Sequence, residues 1–93
     1  MNEERVAQLA RRALRHRGRG EFRKAANVYG ELTSIEPGRS RFWVLRASAL
    51  AAYGHHDEAA RCLRQALWLL HRAHEARREH AVRALLEGLP LAA

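Results

Sequence analysis

Two segments of this chain decide its fold: LARRALRHRGRGEFRKAANVY at residues 9–29 and WVLRASALAAYGHHDEAARCL at residues 43–63. The two segments align when the sequence is shifted by 34 residues, with no insertion or deletion. The coincident positions include Arg12 and Arg46, Ala13 and Ala47, Gly20 and Gly54, Ala25 and Ala59, and Tyr29 and Leu63. A fixed period of this length predicts a stack of similar units.

Around these segments, apolar residues recur at helical spacing and predict five helices within a single domain, residues 1–93. Asn2, Ser40 and Asp57 are expected N-caps, and glycine or proline ends each of the first three helices. A helix running unbroken from 57 to 88 would be unusually long, so we expect a break near residues 71–74.

The repeated unit resembles the tetratricopeptide repeat, in which large and small residues alternate around a glycine turn. The first unit supplies Leu9, Ala13, Gly20, Ala25, Tyr29 and Pro37, and the second supplies Trp43, Ala47, Gly54, Ala59, Leu63 and Ala66. The chain departs from the family pattern at Arg12, His16, Arg46 and His71. The resemblance implies an all-α, TPR-like stack of antiparallel helix pairs: repeat one at about 6–39, repeat two at about 40–73 and a C-terminal capping helix at about 74–88.

The same resemblance implies a protein-binding module, because members of the family are adaptors, scaffolds and chaperones. Their groove is lined by the first helix of each unit. The corresponding residues here are Ala10, Arg11, Leu14, Arg17, Arg41, Val44, Leu45 and Ser48. This mixed apolar and cationic lining suits a partner peptide or helix that carries acidic residues. The family's clamp for a C-terminal carboxylate is missing, since Ala10, Leu14 and Leu45 stand at its positions.

Two further groups are candidate interface anchors. Trp68 lies on a charged helix face near Arg64 and Arg72, and tryptophan and arginine are enriched in interface hot spots. Near the C-terminus, an apolar stripe either covers the second unit or docks a partner or a further copy of the chain. The stripe consists of Val82, Leu85, Leu86 and Leu89.

The basic charge suggests an alternative, a helical protein that binds nucleic acid. The net charge is +7, and 16 of the 17 basic residues are arginine, a bias that a GC-rich genome also produces. The basic stretch is Arg11, Arg12, Arg15, Arg17 and Arg19. No aromatic residue interleaves with it, so a solvated helix face is the simpler interpretation. The chain is also similar in size and helix pattern to small bacterial secretion chaperones, which gives a minor alternative.

The sequence offers no chemistry for catalysis. It contains no phosphate-binding loop or nucleophile motif, and we expect no enzyme activity, no cofactor and no metal. His71, His74 and His80 do not have the spacing of a known zinc motif. The single cysteine, Cys62, is expected to be buried. No signal peptide or membrane span is evident, so we expect a cytoplasmic protein.

Overall fold

The computed structural model describes residues 2–91, which form five α-helices and no β-strand. The helices are α1 (Asn2–Gly18), α2 (Phe22–Ile35), α3 (Ser40–Ala52), α4 (His56–Arg72) and α5 (Ala76–Glu87). The all-α prediction is therefore confirmed.

The helices form an antiparallel stack in which each packs mainly against its neighbours in sequence. Alanines make this close packing possible, because a methyl group lets two helix backbones approach closely. Ala13, Ala25, Ala49, Ala59 and Ala66 are completely buried at the helix contacts. The largest fully buried side chains, Leu9, Tyr29 and Leu32, fill the space between α1 and α2 and towards α3.

The 34-residue period is also visible in burial. Ala13 and Ala47, Ala25 and Ala59, and Tyr29 and Leu63 are buried at equivalent positions of the two units. At the outer positions, Ser34 and its equivalent Trp68 are both exposed. The repeat in sequence is therefore a repeat in structure.

Three of the turns between helices have the same hydrogen-bond pattern. The amides of Glu21, His55 and Glu75 each donate to a carbonyl five residues earlier, and the preceding amide donates to a carbonyl three residues earlier. This is the Schellman arrangement, which needs a left-handed residue after the helix. Gly20 (φ 75°), Gly54 (φ 94°) and His74 (φ 57°) take that conformation.

The predicted break between the fourth and fifth helices is confirmed, since α4 ends at Arg72 and α5 begins at Ala76. The predicted N-caps are wrong by one or two residues. Arg39 and His55 are the caps of α3 and α4, and neither makes a side-chain capping hydrogen bond. Asn2 already lies within α1. None of the five helices described is long and apolar enough to cross a membrane.

Candidate functional site

One side of the stack carries two adjoining depressions, which together we call the groove. Here α5 packs against α4 but leaves the space between itself and α3 open. The depression near the start of α3 has a volume of about 470 Å³, and the one near its end about 330 Å³. The first is lined by Ser40, Arg41, Val44, Leu45, Leu70, Arg78, Ala81, Val82 and Leu85. The second is lined by Arg17, Val44, Leu45, Ala47, Ser48, Ala51, Leu63, Leu85 and Leu89.

The centre of the groove is apolar. Val44, Leu45 and Leu85 belong to both depressions and therefore lie where the two meet. Leu85 is 54% exposed, so its side chain presents apolar surface to the groove. An exposed aliphatic side chain in a concave apolar surface is a common feature of protein-binding sites.

Arginines stand at both ends of the groove. Arg41 and Arg78 line the end near the start of α3, and Arg17 lines the other end. The Arg17 Nη2 group donates a hydrogen bond to Ser48 Oγ at 3.2 Å, which holds its guanidinium over the groove. Arg78 forms an ion pair with Glu75, with a separation of 3.5 Å between Nε and Oε2. No acidic residue lines either depression, but the ion pair with Glu75 offsets the charge of Arg78. Arg41 at one end and Arg17 at the other therefore give the groove its positive charge.

The period of 34 residues extends into this groove. Arg17, Ala51 and Leu85 stand at equivalent positions of successive units and all line the same depression. Val44 and its equivalent Arg78 both line the other depression. α5 therefore occupies the place of the first helix of a third unit.

Five of the eight residues predicted for the groove line it: Arg17, Arg41, Val44, Leu45 and Ser48. The other three, all on α1, do not. Ala10 packs against the core, Arg11 is exposed, and Leu14 is 62% exposed. Leu14 is one helical turn before Arg17 on α1, but it lines neither depression.

The predicted C-terminal stripe serves two purposes. Val82 is buried, and Leu86 and Leu89 pack partly buried against the core, so these three cover the second unit. Leu85 points away from the core into the groove.

The other predicted anchors lie outside the groove. Trp68 is 54% exposed on α4, and α5 does not cover it. The Arg72 guanidinium carbon lies 4.7 Å from the centroid of its ring, a cation–π distance. Arg64 is exposed one turn earlier on the same helix. These residues form a separate patch, not an end of the groove.

The sequence prediction missed several residues of the groove. On α4 and α5 these are Leu63, Leu70, Arg78 and Ala81, and on α3 they are Ser40, Ala47 and Ala51. A signal was present in the sequence. A shift of 34 residues carries Val44 onto Arg78 and Ala51 onto Leu85. Extending the repeat into a third unit would have assigned both residues to the groove face.

Elsewhere the surface between α3 and α4 holds a polar cleft of about 280 Å³, lined by residues that include Trp43, Arg46, Glu58 and Arg61. The Arg46 guanidinium lies against Gly30 of α2, where a Cβ atom would stand 3.5 Å from it. Its Nε atom is buried without a hydrogen-bond partner among the residues described. Glu58 lies 3.9 Å from its Nη2 and offsets the charge of Arg46.

Reactive groups are scarce in this structure. Cys62 is buried as expected, and desolvation raises the pKa of its thiol, which keeps the sulfur protonated and unreactive. Within residues 2–91, no three side chains of histidine, cysteine, aspartate or glutamate come together as a metal site would require. Comparison of the chain with protein-family models, curated proteins and solved structures found no match.

Proposed function

We propose that this chain is a tetratricopeptide-like protein-interaction module that holds a partner segment in the groove between α3 and α5. The observation that carries the proposal is the groove itself, an apolar centre of Val44, Leu45 and Leu85 with arginines at both ends. Such a surface gives affinity through apolar burial and orientation through charge. The partner is accordingly another protein, through a peptide or helix with acidic residues.

The period supports the tetratricopeptide-like assignment. The shared Schellman turns at Gly20 and Gly54, the repeated burial, and the extension of the period to Leu85 are what a repeat architecture requires. In that architecture the first helices of successive units line one surface, as α1, α3 and α5 do at the second depression.

The test is capture of a partner from the cells that make the protein, with a comparison of two substitutions. Leu85 and Trp68 are equally exposed at 54%, but only Leu85 lies in the groove. We expect Leu85→Glu to abolish capture of a partner that withstands high salt, and Trp68→Glu to leave it intact. Ser34→Glu is the control, since Ser34 is exposed at the position of α2 equivalent to Trp68.

The opposite result, loss with Trp68→Glu and retention with Leu85→Glu, would transfer the interaction to the outer face of α4. Circular dichroism of each variant checks that the helices are retained. Both exposed positions should tolerate glutamate with little loss of stability, because surface substitutions usually change the free energy of unfolding by less than about 0.5 kcal/mol.

Nucleic-acid binding is the second candidate, and one observation favours it. Arg11, Arg12, Arg15 and Arg19 are exposed, and no carboxylate of residues 2–91 lies within ion-pair distance of them. Binding through phosphate contacts weakens steeply as ionic strength rises, whereas binding in an apolar groove does not. Nucleic acid retained only at low salt, with no protein retained, would therefore support this candidate. A secretion chaperone would be a special case of the first proposal, with the secreted protein as the partner.

A further inference from the structure

We infer that the groove takes an α-helix in which two acidic residues, seven positions apart, flank a pair of apolar residues. This inference rests on the proposed function and specifies the partner for that site. The partner's acidic residues would meet Arg17 at one end of the groove and Arg41 at the other.

The spacing follows from the geometry of α3, which forms one wall along the whole groove. Arg41 stands at one end of this wall, and Ser48, which holds Arg17, stands seven residues later. At 1.5 Å per residue, the two cationic ends are about 10 Å apart along the helix. A second helix lying along α3 covers the same distance in about seven residues, or two turns.

The apolar part of the pattern follows from the same alignment. Val44 and Leu45 lie midway between the two cationic ends, with Leu85 opposite them on α5. Residues three and four positions after the first acidic residue lie on its face of a helix and fall midway between the acidic pair. Apolar side chains at those two positions would therefore meet the centre of the groove.

The two helices that form the walls of the groove favour a helical partner over an extended peptide. The groove lies between α3 and α5, which run in the same direction from the Arg41–Arg78 end to the end lined by Ala51 and Leu89. Both are helices whose exposed backbone groups are already paired, so neither offers a strand edge. Affinity must therefore come from side chains on one face, as in helix-in-groove recognition.

The occupant is a different protein and not a second copy of this chain. None of the acidic residues in the sequence is followed by apolar residues at both the third and fourth positions and an acidic residue at the seventh. Glu3 comes nearest, with Val6 and Ala7 at the apolar positions, but Ala10 stands where the second acidic residue is needed.

The inference is tested with two fluorescent alanine-based peptides of about 14 residues, long enough for about four helical turns. The first has two central leucines, with a glutamate three residues before and another three residues after the pair. The control peptide has the same composition, but both glutamates are moved two positions along, onto the opposite face. We expect the first peptide to bind about five- to tenfold tighter, since each exposed charge pair contributes only modestly.

Variants of the protein show which end of the groove binds which glutamate of the peptide. Arg17→Glu and Arg41→Glu should each weaken binding of the first peptide by about two- to fivefold and leave the control peptide unchanged. Replacing one glutamate of the first peptide by arginine should restore the affinity for only one of these two variants. Each glutamate of the peptide lies at one end of the groove, so the new arginine can pair only with the glutamate introduced at that end.

Failure of this inference can be told apart from failure of the proposed function. If both peptides bind equally and Leu85→Glu abolishes both, the groove binds a helix but the charge pattern is wrong. If neither peptide binds at about 1 mM, the inferred pattern is also wrong. The proposed function depends separately on the loss of the captured partner with Leu85→Glu.

Discussion

The fourth and fifth helices differ in how firmly they are held. α4 buries six residues, among them Ala59, Leu63 and Leu70, whereas α5 buries only Val82. Both form walls of the groove, through Leu63 and Leu70 on α4 and through Leu85 on α5. The comparison shows that α1 to α4 supply all but one of the buried core residues described, while α5, which buries only Val82, completes the groove.

The largest effect should come from a paired substitution in these two helices. Leu63→Ala removes a side chain from the core and should lower the free energy of unfolding by about 2–5 kcal/mol, which threatens the fold of so small a domain. Val82→Ala should lower it by about 1–2 kcal/mol, and mainly in α5. Denaturation measures the first, and amide hydrogen exchange measured helix by helix assigns the second. Faster exchange throughout all five helices in Val82→Ala would show that α5 unfolds together with the rest of the domain and is not held more weakly.

A smaller effect should come from the turn that joins these helices. His74 adopts the left-handed conformation that glycine adopts at the equivalent places, Gly20 and Gly54. A side chain in this conformation is strained, so we expect His74→Gly to stabilise the protein by about 0.5–1 kcal/mol. Gly54→Ala is the matched control and should destabilise it by about 1 kcal/mol. Thermal unfolding of both variants gives the comparison, and a His74→Gly variant of lower stability would contradict it.

The smallest effect concerns Glu21 and Glu75, the glutamates that directly follow the Schellman turns at Gly20 and His74. Glu21 lies 2.9 Å from His16 Nδ1, and this hydrogen bond, with the nearby cations, lowers the pKa of Glu21. A lowered folded-state pKa stabilises the protein above the ordinary pKa of a glutamate, and this contribution is lost as the pH falls through the folded value. We expect Glu21→Gln to lower the melting temperature at pH 7 but not at about pH 3.

Glu75 provides the control for this prediction. It follows His74 as Glu21 follows Gly20, but its side chain forms only an exposed ion pair with Arg78. Glu75→Gln should therefore change the melting temperature less than Glu21→Gln at pH 7. Equal changes at neutral pH, or a Glu21→Gln deficit that persists in acid, would show that the hydrogen bond to His16 is not the cause.

The sequence was sufficient to predict the helices and the core of α1 to α4. Their apolar spacing and the period are local properties, and Ala13, Tyr29 and Leu63 are buried where the pattern places them. The N-caps predicted at Ser40 and Asp57 were misplaced because a residue that can cap a helix also fits inside its first turn. About half of the groove was predictable from the same local helical spacing, since Arg41, Val44 and Leu45 lie on one face of α3.

The contribution of α5 was harder to predict, because it depends on how one helix settles against another. Leu85 and Leu86 are adjacent and chemically identical, but one is 54% exposed and the other packs against the core. Which of the two turns outward depends on the rotation of α5 about its axis. That rotation is set by the contact of Val82 with the stack and by the short turn at residues 73–75, and neither can be read from composition or charge.

Because α5 buries only Val82, binding of a partner in the groove would be coupled to the attachment of this helix. We expect a helix held by a single buried residue to detach and return more often than the other four, and the groove is complete only while α5 is attached. The apparent affinity for a partner is then the intrinsic affinity multiplied by the attached fraction. A partner that touches Leu85 and α3 at once would hold α5 in place, so that the bound state would be the more rigid one and His74→Gly would tighten binding without touching the partner.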